Sequence, residues 1–211
     1  MPSSVHIVST GARTPLGLND EASAAAYRAG ISAMGDHPFM IDRLGDPMPG
    51  ALDAELDPGL MGPGRLLALA ESALREVCEP VGGKAGNRLR LPVYLALPEP
   101  RPGFTEQDAE ALRSGLERLD GLPVDISQVE MSTKGHAAGL AVFKLAADRI
   151  ENGAFDACLV GGVDSYFHPD TMEWLDENRQ LAGADARSAF VPGEGACFCM
   201  LMSERTCRRW G

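Results

Sequence analysis

The stretch that decides the fold is GHAAGLAVFKLAADRIENGAFDACLVGGVDS, residues 135–165. Its first part predicts a helix over about 137–151, with small and apolar residues on most of its faces: Ala138, Ala141, Val142, Leu145 and Ala146. Such a helix is expected to be buried on several sides. Its last part, 157–163, predicts an entirely apolar strand that ends in two glycines. Elements that are apolar on every face indicate an α/β protein whose sheet is covered on both sides.

Strands and helices alternate along the rest of the chain. Short apolar or β-branched runs predict further strands over about 5–9, 91–97, 126–131 and 196–202. Apolar residues at helical spacing predict helices over about 20–29, 64–79 and 106–119. The alternation favours one parallel or mixed sheet.

Two segments interrupt this alternation. Residues 35–62 are rich in Pro, Gly and Asp without a sustained period, so we expect irregular structure over the surface. Residues 82–86 predict a flexible turn, since their glycines lack the spacing of a phosphate-binding loop.

Composition excludes several classes of protein. No apolar run in the 211 residues reaches the ~20 residues of a membrane span, and the N-terminus lacks the basic and apolar regions of a signal peptide. The 30 acidic and 19 basic residues give a formal net charge of −11. Because phosphate groups are bound by basic surfaces, we expect neither nucleic acid nor a membrane as a partner.

The cysteines point to a reducing compartment. There are five, an odd number: Cys78, Cys158, Cys197, Cys199 and Cys207. Most lie in apolar runs, which favours buried, reduced thiols and a cytoplasmic location. The single residue between Cys197 and Cys199 is too short a spacing for a zinc knuckle. Asp164, His168 and Asp170 are also a metal-like mixture, but such residues are common at strand ends and turns. No metal and no other cofactor is predicted.

Several short motifs resemble a known family. They are Val8–Gly17, Tyr27–Ser32, Gly135–Leu140, Asp156–Ser165 and Phe190–Ala196. In order and spacing they are similar to the first strand and turn, the end of the helix that follows it, the nucleophile turn, the strand after the central helix and the glycine–glutamate–glycine segment of β-ketoacyl-ACP synthases. These enzymes are members of the thiolase-like superfamily.

The resemblance implies a particular architecture. Thiolase-like enzymes have two similar halves, each a five-stranded sheet with helices, and residues 1–211 correspond to the first half. We therefore expect a mixed five-stranded sheet with helices on both faces and a buried central helix. A lone half exposes the helix at 137–151, so a second half is expected in a longer chain, which we favour, or from a partner. The family's dimers predict a homodimer that pairs through the strand near 157–163.

His136 occupies the position that the resemblance assigns to the nucleophilic cysteine, and the nearest cysteine in sequence is Cys158. Acyl transfer to cysteine is therefore not expected at this position. Three interpretations stay open: a structural histidine with hydrogen-bonded ring nitrogens, a pocket residue of a non-condensing site, and a catalytic general base. Residues 132–136 also resemble the lysine and Gly-His motif of the family's second half, although Lys134 suits a solvated turn.

The resemblance also implies a substrate pocket. Its candidate residues are Lys134, Gly135, Phe190, Gly193, Glu194 and Gly195. Phe190 is either an aromatic gate beside the acyl group or a core residue. Glu194 either faces the site or braces the loop by accepting backbone hydrogen bonds.

These observations predict a β-ketoacyl synthase-like protein that does not condense and acts by binding. Two accessory roles fit: a partner of an active ketosynthase, similar to chain-length factors, and an adaptor, similar to thiolase-like proteins that accompany type VI secretion effectors. The alternative is an acyl-thioester enzyme, a decarboxylase or acyltransferase, that uses His136 with residues of the missing half. An acyl thioester is a candidate ligand.

Overall fold

A computed structural model describes residues 4–81, 88–183 and 188–210. The turn predicted at 82–86 lies outside the described residues. Seven strands are assigned within them: β1 (Val5–Arg13), β2 (Gly35–Ile41), β3 (Pro47–Gly50), β4 (Arg90–Ala96), β5 (Asp125–Ser132), β6 (Ala157–Ser165) and β7 (Glu194–Ser203). The α-helices are α1 (Asp20–Arg28), α2 (Gly62–Cys78), α3 (Glu106–Glu117), α4 (Ala138–Glu151), α5 (Pro169–Glu177) and α6 (Glu204–Trp210).

Five of the strands form one mixed sheet in the order β1-β7-β6-β4-β5. The β4, β5 and β6 strands run parallel to one another, whereas β7 is antiparallel to both β6 and β1. This arrangement confirms the predicted mixed five-stranded sheet. The carboxyl ends of β4, β5 and β6 consequently meet at one edge of the sheet.

Helices cover the two faces of the sheet unequally. The α2 and α3 helices pack on one face, where the larger apolar core includes Leu69, Leu74, Leu159 and Phe198. The α4 helix packs on the opposite face against a smaller cluster around Tyr94, Val160 and Leu201. Side chains alternate between these two clusters along β6 and β7, as the period of a strand requires.

Among the residues that the structure describes, the α4 helix is buried on one side. Its buried residues form a single row spaced by four: Ala138, Val142, Ala146 and Ile150. Leu140 is 81% exposed and Leu145 is 41% exposed. The sheet supplies one packing surface, and the exposed opposite side of α4 is what the resemblance predicts for a lone half.

The expected dimer strand is wrong. The β6 strand lies in the middle of the sheet, paired with β7 along one edge and with β4 along the other. Both of its hydrogen-bonding edges are thus occupied, and the segment 157–163 cannot pair with a second copy. Within the described part of the chain, the β5 strand pairs with β4 alone and ends the sheet on its side.

Two structured regions differ from the sequence prediction. The segment predicted to be irregular contains an antiparallel pair, β2 with β3, whose buried residues include His37 and Met48. The residues after β6, predicted as a turn, form α5 because Pro169 suits the first helical position and the His168 ring accepts a hydrogen bond from the Asp170 backbone N–H.

No helix among the described residues combines the length and the apolar character that crossing a bilayer requires.

Candidate functional site

A cleft of about 800 Å³ opens where the parallel strands end. Its walls come from the segment after β4, the turn before α4, the end of β6 and the start of β7. Ligands of open α/β sheets bind in the crevice outside the carboxyl ends of the strands. The location of the cleft therefore makes it the candidate binding site.

His136 lines the cleft one turn before α4. The residue is exposed, and its ring makes no hydrogen bond to the described residues. A structural histidine was expected to form hydrogen bonds through its ring nitrogens. No such hydrogen bond is present among these residues. The imidazole is thus free to meet a ligand in the cleft.

Gly135 places the His136 backbone at the cleft. Its φ of 58° lies in the left-handed region that glycine tolerates best. A Cβ at this position would lie 3.1 Å from Cγ of Glu99, which packs against the glycine. Glu99 also lines the cleft, a contact that local sequence patterns do not predict. A side chain at 135 would meet both backbone strain and crowding.

The other predicted pocket residues divide into two groups. Phe190 and Gly195 line the cleft with Gly135, and the Phe190 ring packs edge-on against Tyr166 with their centroids 5.4 Å apart. Lys134 is exposed and is not part of the lining. Gly193 and Glu194 also stand outside the lining.

Glu194 instead anchors the region behind the cleft. Its carboxylate accepts hydrogen bonds from Arg65 (Nε–Oε2 2.5 Å, Nη2–Oε1 2.6 Å), from the Asp53 backbone N–H at 2.7 Å and from Ser165 Oγ at 2.8 Å. The side chains of Arg65 and Glu194 are 1% and 0% exposed. Glu194, the first residue of β7, therefore connects α2 and the segment after β3 to the end of β6.

A second ion pair extends this anchor. Arg13, at the end of β1, donates two hydrogen bonds to Asp53, from Nε at 2.5 Å and from Nη2 at 3.0 Å. Burial alone would raise the pKa of Asp53, but the hydrogen bond and charge of Arg13 and the backbone N–H of Glu55 outweigh it and lower that pKa. Asp53 is therefore held as a carboxylate.

One cysteine, Cys197, lines the cleft. Although the residue is partly open to solvent, burial of its thiol raises the pKa, and the nearby carboxylates of Asp20 and Glu76 raise it further.

Burial likewise raises the pKa of Cys78 and Cys158 to about 12 and of Cys199 to about 11. The pKa of Cys207 is also raised, mainly by burial. All five cysteines are therefore thiols near neutral pH, and none has the environment of a reactive thiolate.

Asp164 and His168, two of the three residues whose side chains suit a metal ligand, have separate partners. Asp164 is paired with Arg101 in the cleft, and the ring of His168 caps α5. Within the described ranges, no group of three or more His, Cys, Asp or Glu side chains is placed to hold a metal ion.

Comparison with solved structures identifies the class of fold. Ketosynthases share it, among them a type II polyketide synthase ketosynthase in complex with its acyl-carrier protein (15% identity, TM-score 0.74, 99% of this chain and 60% of that chain). The ishigamide ketosynthase/chain length factor is similar (19% identity, TM-score 0.72, 99% and 60%). So is the module 6 ketosynthase of the bacillaene synthase from Bacillus subtilis (19% identity, TM-score 0.67, 97% and 41%). The chain has the thiolase-like fold of ketosynthases and spans between two fifths and three fifths of these relatives.

The sequence itself supports this assignment over part of its length. Residues 131–206 match the N-terminal domain of β-ketoacyl synthases. This segment contains the end of β5, His136, α4, β6 and β7. No curated protein sequence matches the chain. The resemblance to an N-terminal half of the thiolase-like fold is thus confirmed.

Proposed function

We propose that this chain is a ketosynthase-like protein that does not condense acyl groups and that binds an acyl thioester in an accessory role. The observation that carries the proposal is His136, which lies at the cleft on the turn before α4, where the motif order expects a cysteine. An acyl group on imidazole is activated and short-lived, so His136 is a poor acyl carrier.

The thiol pKa values support the same conclusion. Condensation through an acyl-enzyme needs a thiolate nucleophile. The thiol of Cys197 lines the cleft, and its pKa is raised by burial and by neighbouring carboxylates. This thiol is therefore a poor replacement for the expected nucleophile.

The cleft is suited to binding. Its volume of about 800 Å³ lies in the range of small-molecule sites. Three aromatic rings line it, those of Tyr166, Trp174 and Phe190. Aromatic walls with a few polar groups are typical of pockets that hold an organic ligand. An acyl group fits this lining, with its thioester near His136.

We further propose that a protein partner, or a second half of the fold, covers the exposed side of α4. Leu140 is a large apolar side chain that is 81% exposed. Structural relatives include a ketosynthase with its acyl-carrier protein and ketosynthases with chain length factors. A partner of this kind suits an accessory protein.

The decisive experiment incubates the chain with malonyl- and acyl-pantetheine thioesters and follows both turnover and binding. We expect saturable binding by calorimetry, no covalent acylation by intact-mass spectrometry, and neither decarboxylation nor condensation. His6→Ala is the matched control for His136→Ala, because His6 lies on β1 outside the cleft lining.

The protein would be an acyl-thioester enzyme if it turns over a thioester and if His136→Ala abolishes this activity while His6→Ala preserves it. That result would overturn the binding role. Absence of any thioester binding would also contradict the proposal. If the protein is an adaptor, we expect no thioester binding but a stable complex with another protein.

A further inference from the structure

A rigid segment forms one wall of the cleft. It follows β4 and reads Leu-Pro-Glu-Pro-Arg-Pro-Gly-Phe, residues 97–104. Its three prolines fix φ and carry no backbone N–H. The segment ends in a tight turn in which Arg101 and Phe104 exchange two backbone hydrogen bonds of 2.9 Å. Thr171 Oγ1, on α5, donates to the Pro102 carbonyl at 2.6 Å and fastens the turn.

Gly103 shows how closely this turn is packed. Its φ is 82°, and a Cβ there would lie 2.5 Å from Thr171 Oγ1 and 2.6 Å from Nδ1 of His168. The turn therefore has no room to shift toward α5. Arg101, two residues earlier, is presented to the cleft from a fixed backbone.

The Arg101 guanidinium holds Asp164 in place. Its Nη2 lies 2.6 Å from Asp164 Oδ1 and its Nη1 lies 3.2 Å from Oδ2, a bidentate arrangement. Nη2 also donates to the Ser165 carbonyl at 2.9 Å. The guanidinium lies over the ring of Tyr166, 4.2 Å from its centroid. Contacts with three residues thus orient the guanidinium, which in turn bonds both oxygens of a single carboxylate at the end of β6.

The two partners are exposed to different degrees. The Arg101 side chain is 11% exposed, whereas that of Asp164 is 39% exposed. Among the described residues, Nε of Arg101 is buried and finds no acceptor. An unpaired buried N–H costs free energy. Arg101 therefore holds Asp164 in an orientation that leaves its own Nε–H without a hydrogen bond to any described residue. The group that the pair offers to the cleft is the carboxylate.

An oriented carboxylate in a binding cleft discriminates between ligands. A hydrocarbon chain laid over Asp164 would remove its water and return no hydrogen bond, which is unfavourable. A hydroxyl on the ligand would replace that water. Sites built to bond a substrate hydroxyl discriminate strongly against analogues that lack it.

We propose that Asp164, held by Arg101, accepts a hydrogen bond from the bound ligand, and that the cleft selects hydroxyl-bearing acyl groups over plain alkyl groups. The inference rests on the proposed function, since it takes an acyl group as the ligand. Asp164 is a specificity-determining residue, and Arg101 is the residue that positions it.

The test compares 3-hydroxybutyryl-pantetheine with butyryl-pantetheine, which differ by one hydroxyl group, using calorimetry on the full chain. We expect the wild type to bind the hydroxylated thioester at least about tenfold more tightly, the ratio that 1.4 kcal/mol gives. The double variant Arg101→Met/Asp164→Leu removes both charges, so no unpaired ion is left, and should bind the two thioesters equally. The matched control is Arg113→Met/Glu110→Leu, an ion pair on α3 outside the cleft, which should keep the preference.

Equal affinities in the wild type, or a preference that persists in the double variant, would overturn the inference. The wild-type comparison decides the matter even if the double variant does not fold. If neither thioester binds, the proposed function fails. The same comparison by NMR titration with N-methyl-3-hydroxybutyramide and N-methylbutyramide then tests Asp164 without a thioester, and absence of a preference for the hydroxylated amide would refute its role.

Discussion

Glu194 and Arg65 form a closed ion pair behind the cleft, with Nε–Oε2 at 2.5 Å, Nη2–Oε1 at 2.6 Å and both side chains fully enclosed. Arg65 Nη1 also donates to the carbonyls of Asp57 at 3.0 Å and Leu60 at 3.1 Å. These contacts hold the backbone from which the cleft is built.

Removal of one partner of this pair should be severe. Glu194→Ala leaves the buried guanidinium of Arg65 without a counter-charge, and we expect a loss of about 3–5 kcal/mol in the free energy of unfolding. Urea denaturation measures it. Glu110→Ala breaks an exposed ion pair on α3 and should cost much less, because solvent screens such pairs. Equal losses for the two variants would contradict the structural role of Glu194.

The stability of the fold should fall in acid partly through Asp53. Its pKa is lowered in the folded state, so its contribution is fully present above the unfolded pKa of about 3.9 and is lost as the pH falls through the folded pKa. Urea midpoints measured from pH 6 to pH 2 follow this loss. Asp53→Asn should show a shallower decline than the wild type over the same range, and an identical slope would refute the assignment.

The two neighbouring glycines of β6 should tolerate alanine to different degrees. A Cβ at Gly161 would lie 2.2 Å from the Cys197 carbonyl oxygen and 2.4 Å from the Phe198 ring, whereas a Cβ at Gly162 would come no closer than 3.1 Å to any atom. We expect Gly161→Ala to cost about 1–3 kcal/mol or more, in the manner of an overpacked core. Gly162→Ala should cost clearly less. Thermal melts of both variants compare them, and the reverse order would contradict the packing.

Cys197 should react slowly with thiol reagents despite its access to the cleft. Burial and the carboxylates of Asp20 and Glu76 raise its pKa, so the thiolate is scarce at pH 7. Iodoacetamide labelling, resolved by peptide mass spectrometry, should show a rate that rises with pH to a midpoint above 9.0, the ordinary value. Asp20→Asn should speed labelling at pH 7 because it removes one negative charge. Labelling at the rate of an unperturbed thiol would refute the shift.

The β5 edge should govern any association through strand pairing. The β5 strand is the last strand of the sheet, and the edge that faces away from β4 has no neighbouring strand in the described part of the sheet. Such edges are sites where another strand can be added. Ser127→Lys places a charge on this edge and should weaken self-association measured by sedimentation velocity. Val8→Lys, on the β1 strand at the opposite end of the sheet, is the control. Equal association for the two variants would exclude pairing through β5.

Local patterns predicted most elements of the sheet and its helices. Helical spacing located α2 and α4, and apolar runs located β4, β6 and β7, because these signals come from neighbouring residues. The β2 and β3 strands were missed because Pro and Gly interrupt their patterns. The α5 helix was missed because its capping residue is a histidine, which is not among the usual capping side chains.

Strand order could not be predicted from local patterns. The family's dimers were taken to place the dimer interface at the segment 157–163. This segment, in β6, instead lies at the centre of the sheet and is largely buried on both faces. The strands at the two ends of the sheet are β1 and β5, and β5 is partly polar.

The sequence by itself determined the fold class, the order of its motifs and the presence of histidine where the family resemblance expects cysteine, because these depend on residue type and spacing. Only the tertiary structure decided which side chains meet. Glu194 joins Arg65 across 129 residues, and Arg101 joins Asp164 across 63. Such pairs carry no local signal, since chain topology brings their elements together and burial then demands that each charge find a partner. The assignment of Asp164, rather than Glu194, to the cleft follows from that topology.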